Sequence, residues 1–461
     1  MVRHTAAAAV MLLLASPALP QAKKPAPKPA VVQKVVPPKT VYWMSAATST
    51  GFGMTGGMPS AGDMMAMAMG GGGNKPRKSL SLDLGSKLPP SGPPAAETAI
   101  PPGMAMGPVL LLKTPKPEKT APYQPDKDPD DFERPKGKIL LFWGCGETAR
   151  PGQPLVIDFA AMAAGQIPPN LFGGERVRIV HPPSSSKWPT WGGWPNDDKP
   201  SRTGIPANAS LLGAHKVTGN YTPAIDFSLT QDWLAPLNMT ETKAASGALT
   251  LGWNSVPGAT AYFAQMMGGA EGSEEDGNTM VFWASTEQQT FMSALGDYVA
   301  PAEAARLVGK KQLMPPTQTS CAIPKEAVAA AEGAMINLVA HGPEQNFIHP
   351  PRPEDPNIPW VQEWAVKARY AARAGSVAGM GGTGSGGGGG NSGSSSSASA
   401  GTTKSGKPKC PPQGGDAATG AAAGSAVGGS VGGWVGSSVG GAVGGLFGGS
   451  KKKKPVDCEP E

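Results

Sequence analysis

Polar and apolar residues alternate with period two in several short runs of this chain. Leu80, Leu82 and Leu84 are separated by Ser81 and Asp83, and the same alternation marks 176–180 (RVRIV) and 225–229 (IDFSL). Successive side chains of a strand point to opposite faces, so each run predicts a half-buried strand. The continuous apolar runs from Ile139 to Trp143 and from Leu155 to Phe159 predict strands buried on both faces. Gly/Pro/Asn clusters such as Pro168-Pro169-Asn170 divide them. Short strands separated by turns predict a mainly β fold, a sandwich or barrel, rather than an α/β one.

Helical spacing comes late in the chain. Pro301 suits the first turn of a helix through Leu307. Trp360, Trp364 and Ala368 recur every four residues, with Lys367, Arg369 and Arg373 off that stripe. This spacing predicts an amphipathic helix within 351–375.

Between these regions lies a more specific pattern. Leu249, Leu251 and Trp253 share one strand face, Pro257-Gly258 turns the chain, and Tyr262, Ala264 and Met266 line the next strand. Met280 to Ala284 and Ala334 to Ala340 supply later strands. The run LTLGWNSVPGATAYFAQ resembles the B–C hairpin of fibronectin type III domains, in which a buried Trp precedes a turn and an Ala-x-x-Tyr strand. The resemblance covers about 235–345 and implies a β-sandwich; Ala334 stands where the family's tyrosine-corner residue would precede Ile336 and Leu338.

Composition sets the boundaries. Gly (64) and Pro (50) crowd the two ends of the 461 residues, and together they approach the range of low-complexity protein. Residues 19–134 read as a mostly disordered Pro/Gly/Met-rich segment. A β-rich region follows over 135–231, then the fibronectin-like part over 232–350. A flexible Gly/Ser linker covers 376–409. Residues 1–18 read as a secretory signal, with basic Arg3 and His4, an apolar run from Ala6 to Leu14 and small residues at Ser16 and Ala18.

Export would permit disulfides among the four cysteines, Cys145, Cys321, Cys410 and Cys458. Three connectivities are possible; the simplest pairs Cys145 with Cys321 in the body and Cys410 with Cys458 around the tail. Net charge is +6, of which four come from Lys451 to Lys454. No basic stripe with interleaved aromatics points to nucleic acid. The Lys run beside an apolar segment suits anionic headgroups, or serves as a solubilising tail.

The tail carries the strictest period. Gly420, Gly424, Gly428, Gly432, Gly436, Gly440, Gly444 and Gly448 fall at every fourth position, with Val427, Val431, Val435, Val439, Val443 and Phe447 beside them. The stretch resembles the glycine-zipper segments of Gram-negative envelope proteins. That resemblance implies a helix or hairpin associating with membrane or with itself, in the periplasm, outer membrane or cell surface. A bond between Cys410 and Cys458 would exclude a single crossing and require a hairpin.

Chemistry-bearing patterns are sparse. Trp188, Trp191 and Trp194 recur every third residue, which in a polyproline-like segment would stack three rings along one edge for an envelope glycan; the alternative is a loop capping the core. Met44, Met54, Met58, Met64, Met65, Met67, Met69, Met104 and Met106 form a thioether-rich region that could meet envelope copper. Matches to GxGxxG (379–384) and GxSxG (428–432 and 436–440) fall in glycine tracts without a preceding strand and carry no chemistry. His181, His215, His341 and His349 show no metal-ligand spacing. The expectation is therefore an exported, non-enzymatic structural or adhesive protein without cofactor or metal, the alternative being a ligand-binding module for glycan or copper.

Overall fold

The computed structural model describes residues 32–51, 75–114, 136–166, 168, 176–196, 204–273, 277–289 and 294–378. The signal-like leader, most of the Gly/Ser linker, the glycine repeat, Cys410 and Cys458 lie outside the described residues.

The protein is mainly β, as its alternation predicts. A nine-stranded sheet runs in the order β7 (Leu155–Asp158), β6 (Lys138–Trp143), β14 (Thr279–Ala284), β13 (Ala261–Ala270), β16 (Glu332–His349), β18 (Trp364–Val377), β2 (Thr40–Gly51), β3 (Arg77–Ser86), β8 (Thr190–Trp194). Neighbours are antiparallel except β6–β14 and β18–β2. A four-stranded antiparallel sheet is ordered β10 (Ile225–Leu229), β9 (Gly213–Gly219), β4 (Ala96–Ala99), β5 (Val109–Leu112). A three-stranded one is ordered β11 (Met239–Lys243), β12 (Leu249–Trp253), β15 (Ser320–Ile323). Strands β1 (Val35–Val36) and β17 (Trp360–Val361) form a short parallel ribbon.

One apolar cluster joins the inner face of the large sheet to both smaller sheets. Tyr42, Met44, Leu82, Leu84, Tyr262, Met266, Trp283, Leu338, Val366 and Tyr370 meet Val217, Phe227, Leu249, Leu251, Trp253 and Ile323 there. The Cys145–Cys321 disulfide spans 176 residues of sequence and ties the loop after β6 to β15. Tyr262 also closes the turn before its own strand, its hydroxyl accepting from Val256 N at 2.9 Å. Among the described residues three short helices complete the body: α1 (Phe159–Ala163), α2 (Pro301–Gly309) and α3 (Lys325–Ala330). Pro301 opens α2 as expected, and Ala304 and Leu307 pack on the outward Ala261 and Phe263 of β13.

Three expectations need correction. The predicted amphipathic helix of 351–375 is a strand, β18, preceded by the short β17. A spacing of four is also twice the strand period. Val366, halfway between Trp364 and Ala368, is buried with them, and so is Tyr370 two residues further on, which only a period of two allows. The segment 19–134, read as mostly disordered, contributes β1 to β5, including β2 and β3 within the large sheet. The inner face of β2 is built from Tyr42, Met44 and Ala46 with Thr48 and Thr50. Its strand character was hidden by small and hydroxylated residues, although the hydroxyls are satisfied: Thr48 donates to Leu234 O at 2.7 Å, and Thr50 bonds Leu237 O. Finally, 176–180 is extended but joins no sheet.

Candidate functional site

The outer face of the large sheet is chemically unlike the inner one. Alternation along β18 sends Trp364, Val366, Ala368, Tyr370 and Ala372 inward and Lys367, Arg369 and Arg373 outward. In register beside them on β2 lie Trp43, Ser45 and Ser49, paired with Lys367, Arg369 and Arg373. One strand further, Asp83 pairs with Trp43 and Ser81 with Ser45. On the other side Glu344 of β16 pairs with Arg369. The strand pairings thus gather three cations, two carboxylates and an aromatic ring on one surface.

Arg369 is its centre. Only 6 % exposed, the guanidinium lies between two rings, 4.3 Å from the centroid of Tyr298 and 5.2 Å from that of Trp43. Its Nε donates to Ser45 Oγ at 2.7 Å and its Nη1 to Val180 O at 3.3 Å. Planar stacking with in-plane donation is the use for which a guanidinium is better shaped than an ammonium. Arg373 continues the row: it sits 5.3 Å from Tyr298, donates to Gly296 O at 3.0 Å and lies 3.7 Å from Asp297 Oδ1. Lys367 pairs with Glu344 at 2.5 Å and stands 5.4 Å over Trp43.

This packing shifts titrations. Burial pushes the Asp83 carboxyl from 3.8 up to about 6, opposed by its hydrogen bond from Ser81 and by the Arg369 charge. Burial, then the Arg373 charge, depress the neighbouring His341 to about 3, so its ring is neutral. Burial also raises the Tyr298 phenol, against the pull of both arginines. The arrangement can hold charge in a low-polarity setting, but every cation named has an anionic, carbonyl or aromatic partner within the cluster.

The tryptophans divide between the two faces. Trp191 and Trp194 belong to β8, where residues three apart point oppositely, so the three rings do not form the row expected of polyproline spacing. Trp194 packs against the inner core. Trp191 pairs with Gly85 on the outer side and donates to Pro183 O at 2.8 Å. Trp188 covers Gly85, where a Cβ would stand 2.7 Å from its ring, and takes Lys87 Nζ at 5.7 Å from its centroid. Of the methionines, Met44 and Met104 are core residues and Met106 packs beside them; Met54, Met58, Met64, Met65, Met67 and Met69 lie outside the described residues. Among the described residues no three His, Cys, Asp or Glu side chains come together as a metal site, and no helix is long and apolar enough to cross a membrane.

Trp43 and Tyr298 have no place in the sequence reading, and Arg369 and Arg373 enter it only as the polar side of a helix. The signal was present in the Lys367/Arg369 alternation with Val366, Ala368 and Tyr370, once the period is read as two instead of four. No protein-family model matches the chain, and no curated protein matches it.

Proposed function

We propose that this is an exported structural or adhesive protein: a disulfide-locked β-sandwich body carried on a self- or membrane-associating glycine-repeat tail, and not an enzyme. The observation that carries the reading is the Cys145–Cys321 bond, which closes a 176-residue separation inside the body. Such bonds form and persist in oxidising compartments and are rare where thiols are kept reduced. The leader and the tail repeat point the same way.

The strand order supports the sandwich. Sheet β11-β12-β15 lies across the shared core from β14-β13-β16-β18, and the chain changes sheets between β12 and β13, β14 and β15, and β15 and β16. That Greek-key arrangement is the one the fibronectin type III resemblance implies, with Trp253 and Tyr262 in contact at 5.6 Å between ring centroids. Strands β6 and β7 then extend this module on one edge of its larger sheet, and β2, β3 and β8 on the other.

The test is fractionation of cells expressing the full chain, with thiols blocked at lysis, beside a chain lacking 410–461. The reading expects the full chain in the extracytoplasmic membrane-associated fraction with Cys145 and Cys321 oxidised, and release of the truncated chain into the soluble extracytoplasmic fraction. Reduced cysteines in a cytoplasmic fraction would sink the export claim; identical partitioning of both chains would sink the role of the tail.

A further inference from the structure

The segment 176–183 lies extended beside the outer face without joining it. None of its backbone groups bonds to the backbone of another described residue; side chains hold it instead. Arg178 N donates to Glu303 Oε1 at 2.8 Å, Arg306 Nη2 to Arg176 O at 2.7 Å, Arg369 Nη1 to Val180 O at 3.3 Å, and Trp191 Nε1 to Pro183 O at 2.8 Å. Val177 and Ile179 point into the small apolar cluster of Phe263, Leu295, Val299 and Leu307, while Arg176, Arg178 and Val180 are exposed. Glu303 is 7 % exposed, and its carboxyl is held low first by the Arg306 hydrogen bond and also by the Arg178 charge. Two apolar anchors at alternate positions, with clamps on the backbone between and beside them, are the features of a groove for an extended peptide.

We propose that this groove, walled by α2 and the outer face, accepts segment 176–183 of a second copy of the chain, so that two copies exchange straps. The groove is complementary in shape and charge to this one sequence, and another copy presents the same sequence with the same contacts. Leaving the groove breaks no sheet ladder, which places the strap at the low-stability end of the fold. Pro182-Pro183 follows the anchors and favours an extended arm over one that folds back. The proposal stands apart from the glycine repeat, which offers a different route to self-association.

The test uses the full chain, with a parallel chain lacking 410–461 to remove the tail as a cause. A labelled peptide of residues 176–184 is titrated onto wild type and onto Ile179→Asp, which disables the strap and leaves the groove intact. Freeing the groove raises the binding-competent fraction, so Ile179→Asp is expected to bind the peptide at least about tenfold more tightly than wild type. Adding Glu303→Ala is expected to remove that binding. In sedimentation velocity, wild type is expected to dimerise with concentration in both chain lengths, and Ile179→Asp or excess peptide to prevent it. If Ile179→Asp does not fold, Val177→Ala/Ile179→Ala replaces it. Absence of saturable peptide binding to the folded strap variant overturns the groove; peptide binding by a chain that remains monomeric at every concentration overturns the second copy as its occupant.

Discussion

The two faces of the nine-stranded sheet solve burial in opposite ways. Inward, Tyr42, Met44, Leu82, Leu84, Trp283 and Tyr370 are all within 2 % of complete burial, and their contribution scales with area removed from water. Outward, Arg369 is almost as buried, at 6 %, yet is kept charged by rings, a hydroxyl and a carbonyl. The inner face tolerates exchange of one hydrophobe for another of similar volume. The outer face depends on complete partnering, because a buried charge left alone costs more than its pair contributes. The difference predicts that the faces will answer the same kind of truncation differently.

The largest effect should come from the bond that ties the loop after β6 of the large sheet to β15 of the three-stranded one. Replacing Cys145 and Cys321 by Ser releases a 176-residue closure, which chain entropy values at about 5 kcal/mol; urea unfolding under non-reducing conditions measures it. Next is the inner face. Trp283→Ala removes a side chain that is 1 % exposed and whose Nε1 donates to Gly144 O at 2.9 Å, so a loss of about 4 kcal/mol is expected by the same assay. A loss below about 1 kcal/mol would mean that the inner face does not carry the fold.

The inner face was the legible one. Leu80-Leu82-Leu84, Ile225-Phe227-Leu229 and Leu249-Leu251-Trp253 alternate cleanly in sequence, and each forms the strand expected. The outer face was obscured for two physical reasons. In β18 small alanines dilute the apolar face, so the tryptophans dominated the pattern, and their spacing of four fits helix and strand alike. In β2 the burial partners are distant in sequence: Trp43 meets Lys367 and Arg369, more than 300 residues away. Segment 176–180 shows the limit of alternation itself. Val177 and Ile179 are indeed the anchored side, but period two reports an extended backbone and not whether a sheet edge is free to receive it.

Arg369 sharpens the contrast between the faces. Arg369→Ala would leave Ser45 Oγ and Val180 O without their donor and open a gap between Trp43 and Tyr298. A loss of about 3 kcal/mol is expected. Arg369→Met restores apolar volume between the rings without the charge, and should recover at least about half of that loss. If Met recovers nothing, the guanidinium hydrogen bonds dominate, and the outer face is held by polarity more than by packing.

The smallest effect is also the one whose sign depends on pH. Asp83 titrates near 6 in the folded protein against 3.8 otherwise, with burial as the first cause. Its folded state therefore binds the proton more tightly, so the group favours folding when protonated. Stability is highest below about pH 4, falls as pH rises from about 4 to 6, and stays lower above that window. The full shift corresponds to about 3 kcal/mol, and partial solvent access around a half-buried carboxyl reduces this to about 2. Asp83→Asn keeps the shape and a polar partner for Ser81 without the ionisation. In urea unfolding it should therefore be more stable than wild type by about 2 kcal/mol at pH 7.5, and match wild type at pH 4. An equal gain at both pH values would assign the effect to hydrogen bonding alone. A loss at pH 7.5 would show that the ionised carboxylate is a needed counter-ion for Arg369, making the outer face an ion-paired surface and not one where a carboxylate is merely tolerated.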